Sequence, residues 1–189
     1  YAMQAAHHMA KHGTTQRHIA EVASKNHYHG SLNPKAQYRF QVSVEEVVQD
    51  RSISHPLTRS MCAPIGDGGA ASIVCSKDYL DAQPADVRGR AVKIRASAMS
   101  GGKYRDLDES GLSREAALKS YNLAELGPGD VDIAEVHDAT SFCEIYQSEM
   151  LGFCEDGKGG RYVASGATTL GGARPINLSG GLVSKGHPV

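Results

Sequence analysis

Two histidines stand in settings suited to acid/base chemistry. His187 ends the stretch Asn177-Leu178-Ser179-Gly180-Gly181-Leu182-Val183-Ser184-Lys185-Gly186-His187-Pro188, a glycine-rich polar loop. Glycine at that density allows close backbone approach to a ligand, and imidazole is the side chain that changes charge near neutral pH. His137 closes the apolar run Val131-Asp132-Ile133-Ala134-Glu135-Val136, where a buried strand would hand over to a helix. In an open α/β sheet, ligands bind beyond the carboxyl ends of the strands. The helix that follows presents free N–H groups to the same crevice, which favour a negative charge such as a thioester oxyanion or a phosphate. One imidazole would stabilise an enolate or oxyanion while the other takes a proton from a nucleophile. The competing readings are a backbone-bonded structural histidine at 137 and a tail residue at 187.

Positioning such a pair needs a folded scaffold. The 189 residues, 40% hydrophobic with a formal net charge of -1, suffice for one domain and one core. The near-neutral balance offers no basic field for nucleic acid, and no segment approaches the ~20 apolar residues of a membrane span. Tyr1 replaces a starting Met and nothing closes the chain after the Gly-His-Pro loop, so both ends read as cut from something longer. Cys62, Cys75, Cys143 and Cys154 are irregularly spaced, which reads as reduced thiols in a cytoplasmic compartment. His8 and His12 have the i, i+4 spacing of a zinc pair, but no carboxylate or cysteine nearby completes a site, and no metal is expected.

The pattern along the chain predicts alternating helices and strands. Residues 1–12 form a helix with Ala2, Ala5, Ala6 and Met9 on one face, stopped by Gly13. A second helix runs over 16–26 after a Thr14 or Thr15 cap, and 27–34 read as an irregular loop. Ser43-Val44-Glu45-Glu46 is a capping box that turns Val44, Val47 and Val48 inward. Strands are expected over 67–75, over 91–98 with Lys93 and Arg95 on a wetter face, and over 131–136. Helices fill 113–121 and 141–150, the latter capped by Ser141 with Glu144 and stopped by Gly152. The alternation indicates an α/β sheet with parallel pairing.

These segments resemble a known family. Val136-His137-Asp138-Ala139, taken with Gly180-Gly181-Leu182-Val183-Ser184-Lys185-Gly186-His187-Pro188, is similar to the C-terminal portion of thiolases, in the lipid-transfer or sterol-carrier branch. Lys25 to Tyr38 resembles the start of that family's substrate-covering loop region, and Pro64 to Ala71 the segment re-entering its core. The resemblance implies an α/β, layered αβαβα fold that is incomplete in this chain. Residues 1–26 would end the N-terminal half, 27–66 form the loop region, 67–90 supply a return strand and linker, and 91–189 begin the C-terminal half. It implies an acyl-CoA acyltransferase similar to acetyl-CoA acetyltransferases, active in lipid metabolism, that cleaves a 3-ketoacyl-CoA or runs the reverse Claisen condensation. His187 would activate a nucleophilic cysteine lying outside this chain, and His137 would anchor the oxyanion site. Asp138 and Gly186 would support them, and Lys185 and His29 are candidate contacts to coenzyme A.

Coenzyme A enters as substrate, and no tightly bound cofactor is implied. A homodimer or tetramer follows from the resemblance, as does a small zinc-ribbon and OB-fold partner. So does a cytoplasmic location, or a peroxisomal one in a eukaryote. One departure matters. Where that branch carries a cysteine after His-Asp, this chain has Ala139 and Thr140, so the thiol that shuttles the substrate's α-proton is missing there. Two alternatives follow: a thiolase-like retro-aldolase acting on β-hydroxyacyl-CoA side chains, and a non-catalytic acyl-CoA-binding subunit.

Overall fold

The computed structural model describes residues 1–102 and 104–188. Helix α1 (Ala2–His12) turns Ala5 and His8 inward and ends at Gly13, whose φ of 72° gives the left-handed C-cap expected there. Thr15 opens α2 (Gln16–Leu32): its side chain accepts from the His18 N–H, and the His18 ring accepts from the Thr15 N–H in return. This helix runs six residues past Asn26, so the loop expected from residue 27 begins only at Asn33. Within the run that reads as loop, Tyr28 and Leu32 stay exposed, while His27 and His29 are instead buried, at 2% and 1% exposure. Their polarity is spent inside the fold. Pro34, which disfavours helix in the residue before it, follows the C-cap Asn33.

Helix α3 (Val44–Gln49) starts at the reciprocal Ser43–Glu46 capping box, with Val47 fully buried and Val44 and Val48 packed beside it. The short antiparallel pair β1 (Ser52–Ser54) and β2 (Leu57–Thr58) leads through a 3₁₀ turn, Arg59–Met61, to β3 (Ile65–Gly66). Two short helices follow, α4 (Lys77–Asp81) and α5 (Ala85–Gly89), and then α6 (Leu112–Ala124). Helix α7 (Ser141–Met150) packs on α2 and buries Phe142 and Ile145 in the core, and Gly152 follows its end at φ 74°. Its N-cap is Thr140 rather than Ser141, and no side chain caps it, because Glu144 turns inward to Lys25. Helices α8 (Gly159–Ala164) and α9 (Gly181–Lys185) complete the helical layer. The chain then closes with β4 (His187–Pro188), which pairs in parallel with β3.

Parallel pairing is therefore present, but the extended sheet is not. Of the strand expected over 131–136, one parallel bridge remains, Ala134 to Ile176. Residues 67–75 and 91–98 form no ladder among the described residues, and Ile73, Val74, Val92 and Ile94 are 64–93% exposed. A strand needs a neighbour to take its backbone donors and acceptors, and these segments find none here. The alternation between a wet and a dry face is absent for the same reason. The core lies instead where α2, α3, α7 and α9 meet: Ile19, Val22, Val47, Met61, Phe142, Ile145 and Val183 form one buried cluster.

Candidate active site

Histidines 137 and 187, 50 residues apart in sequence, meet edge to face with ring centroids 5.1 Å apart and an interplanar angle of 86°. His137 is exposed and His187 half-buried, so both rings are reachable from solvent. His187 is held by its backbone: its N–H donates to Pro64 O at 3.0 Å within the β3–β4 pair. Its Nδ1 lies 3.3 Å from Pro188 O. A carbonyl can only accept, so that contact requires Nδ1–H and leaves the lone pair on Nε2. His137 makes no hydrogen bond among the described residues; its ring contacts His187 alone.

The helix before His187 is short and lies directly on α2. The left-handed Gly180 (φ 101°) brings α9 so near that a Cβ there would stand 2.7 Å from the Gly30 Cα. Gly181 (φ 56°) faces the Asp138 carboxylate with no space for a side chain. Asp138 is fully buried; its Oδ1 accepts the Leu182 N–H at 2.6 Å and its Oδ2 accepts from Asn26 Nδ2 at 2.8 Å. Burial first, and then the nearby Glu144, push its carboxyl up to about 8, against the pull of Leu182, Lys25 and Asn26. It is thus a backbone-bonding carboxylate turned into the interior, away from the open pair. Gly186 (φ 111°) admits the Gln37 side chain, which a Cβ would meet at 2.6 Å, and the exposed Lys185 reaches only Ser179 Oγ at 3.5 Å.

Beneath the pair lies a polar cluster that the sequence does not announce. Lys25 Nζ sits 2.8 Å from Glu144 Oε1 and donates to Ile176 O at 2.7 Å. The amides of Asn26 and Asn177 both donate to Glu144 Oε2 at 3.0 Å. Asn177, at φ 56°, also accepts the Val136 N–H on its own Oδ1 at 2.8 Å, tying down the segment that leads to His137. His29 belongs to this scaffold rather than to a ligand surface. Its Nε2 accepts from Leu170 N and its Nδ1 donates to Asn177 O, so the sequence reading of His29 as a coenzyme A contact fails: no ring nitrogen is left to offer. Burial, aided by Lys25, lowers its basicity and keeps it neutral. His8 likewise bonds Glu149 and Thr14, and no group of three metal-binding side chains occurs among the described residues.

A cleft of about 750 Å³ opens beside the pair, between Tyr38, Phe40 and Val42 on one wall and Cys62, Ala63 and Pro64 on the other. Both walls touch the segment that carries His187, through Tyr38 N–H to Ser184 O and His187 N–H to Pro64 O. His27 lines the cleft, stacked on Phe40 with centroids 5.0 Å apart. The sequence reading missed this wall, for which the alternation Tyr38-x-Phe40-x-Val42 is the available signal. Three of the four thiols are disfavoured as nucleophiles, and the exposed Cys75 does not line the cleft. Burial raises Cys62 and Cys143, and Cys154 is pushed up to about 12, while Cys143 packs one turn inside α7 against Thr140 Oγ1.

Two facing histidines, carried on a scaffold of helices and short strands and tied by backbone to a cleft wall, complete the geometry of the site. The chain belongs to the thiolase family: the thiolase C-terminal domain-like family model matches residues 95–189. It is similar to an acetyl-CoA acetyltransferase of Methanothermobacter thermautotrophicus, 39% identical over 194 residues, covering 100% of this chain and 50% of that protein. It is also similar to sterol carrier protein 2 of Rattus norvegicus, 39% identical over 96% of this chain and 34% of that protein. A benzoylsuccinyl-CoA thiolase subunit of Thauera aromatica is 34% identical, with 100% of this chain and 49% of that protein covered. The chain thus spans half or less of the length of these relatives.

Among solved structures, an Ltp2-ChsH2(DUF35) aldolase superposes with a TM-score of 0.84 at 24% identity, over 98% of this chain and 50% of that one. A monomeric SCP2-thiolase like protein type 1 of Mycobacterium smegmatis gives 0.66 at 18% identity, over 99% and 41%. The fold is accordingly thiolase-like and present in part, and its short sheets are what an incomplete layered fold contains. Among the described residues no helix is long and apolar enough to cross a membrane.

Proposed function

We propose that the protein containing this chain is an acyl-CoA acyltransferase of thiolase type, cleaving a 3-ketoacyl-CoA with coenzyme A or running the condensation in reverse. The observation that carries this reading is the contact of the His137 and His187 rings, with His187 hydrogen-bonded through its backbone to Pro64 on the wall of the cleft. His187, with its lone pair on Nε2, takes the proton of the attacking thiol. His137 donates an N–H to the thioester oxygen as it gains negative charge. The thiol that becomes acylated comes from outside this chain, and the cleft receives the acyl-CoA. A homodimer or tetramer and a small zinc-ribbon and OB-fold partner complete the expectation.

A second reading has its own support. Ala139 stands where a thiolase of this branch needs its second acid/base thiol, and Cys143 is buried inside α7. That favours retro-aldol cleavage of a β-hydroxyacyl-CoA, which needs no such thiol. The test expresses the full reading frame and follows the CoA-dependent loss of acetoacetyl-CoA absorbance, with His187→Ala and His137→Ala as controls. Turnover lost in both variants supports the acyltransferase. Release of a ketone from a hydroxyacyl-CoA without thiolysis transfers the site to aldol chemistry, and acyl-CoA binding without either reaction leaves a non-catalytic subunit.

A further inference from the structure

Helix α9 spans five residues, too few to hold a helical conformation by themselves. Its place, and with it the approach of His187 two residues after its end, is set by tertiary ties. On the cleft side these are the Tyr38 N–H to Ser184 O and the Ser184 hydroxyl to Tyr38 O, at 2.9 and 2.7 Å. On the other side one buried group takes up an amide of the first turn: Asp138, the residue covalently next to His137. The segment bearing one histidine therefore grips the helix that presents the other.

The grip is anchored. The second oxygen of Asp138 is held by Asn26 on α2, and the same amide reaches Glu144 on α7, which is fixed in turn by Lys25 and Asn177. Gly181 is shaped to this contact, since the carboxylate fills the space a Cβ would need. The remaining ties between the two segments lie further back. Ser179 bonds the exposed Glu135, and Asn177 bonds Ala134 and Val136. These fix the start of the loop, whereas Asp138 fixes the turn nearest the rings.

We propose that Asp138 is a positioning residue that sets the His137–His187 contact by holding the Leu182 N–H, and so the angle at which α9 delivers His187. The proposal rests on the acyl-transfer reading for its kinetic consequence, but not for its geometric one. A shift of about 1 Å at a reacting group costs on the order of 100-fold in rate.

The test uses the full reading frame labelled with ¹³C-histidine, the two rings being assigned by His137→Gln and His187→Gln. Edge-to-face rings at this separation shift each other's proton resonances, a signature that needs no turnover. With Asp138→Ala we expect the mutual shift to collapse and kcat to fall about 100-fold, with KM within about threefold. Glu149→Gln, which weakens a remote buried contact, should lower stability without moving either ring. Asp138→Asn keeps one acceptor oxygen but sets an amide donor against the Asn26 Nδ2 donor, and we expect faster exchange of the Leu182 amide with an approximately tenfold fall in kcat.

Three outcomes overturn the proposal. The ring shifts survive in a folded Asp138→Ala, they collapse equally in Glu149→Gln, or the Leu182 amide loosens in Asp138→Asn while kcat holds. If the unaltered protein turns over no acyl-CoA, the acyl-transfer reading fails by itself, and the ring signature still decides the positioning role.

Discussion

The contact between Lys25 and Glu144 gives the sharpest stability prediction. Lys25→Met keeps most of the buried stem but removes the ammonium that lies 2.8 Å from Glu144 Oε1 and 2.7 Å from Ile176 O. Glu144 is fully buried, so its charge is left with two amide donors, both on the other oxygen. Breaking a buried ion pair by removing one partner costs about 3–5 kcal/mol, and the stranded Ile176 carbonyl adds about 1–3 kcal/mol. For a domain of this size each kcal/mol lowers Tm by about 2–4 °C, so a combined cost of about 4–8 kcal/mol should lower the melting point by roughly 8–32 °C.

Adding Glu144→Leu removes the orphaned charge but strands the Asn26 and Asn177 amides, so the double variant should recover about half of the loss. Urea unfolding of the full-length protein, followed by circular dichroism, gives both numbers. A loss below about 1 kcal/mol for Lys25→Met would refute the reasoning, because it would mean that water reaches the pair and carries its charge.

Two further predictions concern the acid limb and the left-handed glycines. Burial pushes the Glu149 carboxyl up, but hydrogen bonds from His8, Gly157 and Gly159 outweigh it and hold the group below its ordinary value of 4.5. Its contribution is therefore present above that value and lost as pH falls through the folded value. Glu149→Gln should cost about 1–3 kcal/mol at neutral pH and flatten the fall in Tm between about pH 5 and 3; parallel Tm curves for the two proteins would contradict this. Gly181→Ala places a methyl group against the Asp138 carboxylate at φ 56°, whereas Gly13→Ala at φ 72° meets nothing within 4 Å. The first should cost about 2–3 kcal/mol and the second about 1 kcal/mol by urea midpoint, and the reverse order would show that α9 yields without resistance.

Local signals were legible wherever one residue type settles the geometry. Gly13 stops a helix because it adopts positive φ without strain, and Ser43 with Glu46 starts one because each satisfies the other's backbone. The meeting of His137 and His187 could be read from their settings, since each ends a segment aimed at the same place. What failed was inference from polarity. Lys25-Asn26-His27-Tyr28-His29 looks solvated, yet four of its five residues are buried: Lys25, Asn26 and His29 have partners more than 100 residues away that leave no trace in local pattern, and His27 packs on Tyr38 and Phe40. The strands at 67–75 and 91–98 failed for the opposite reason: their composition suits a sheet, but pairing is a property of the neighbour, and no described residue supplies it.

Within a little over one turn, α2 carries Lys25, Asn26 and His29, which reach Ile176, Asp138 and Asn177 respectively. Helical residues advance by about 100° each, so inserting or deleting one between Asn26 and His29 would swing one set of contacts a quarter-turn or more from the other. The spacing in this stretch is thus fixed by distant segments rather than by helix preference. Length changes here are forbidden even where single side chains can be exchanged, and a variant of altered length would forfeit these distant anchors before it forfeits the helix.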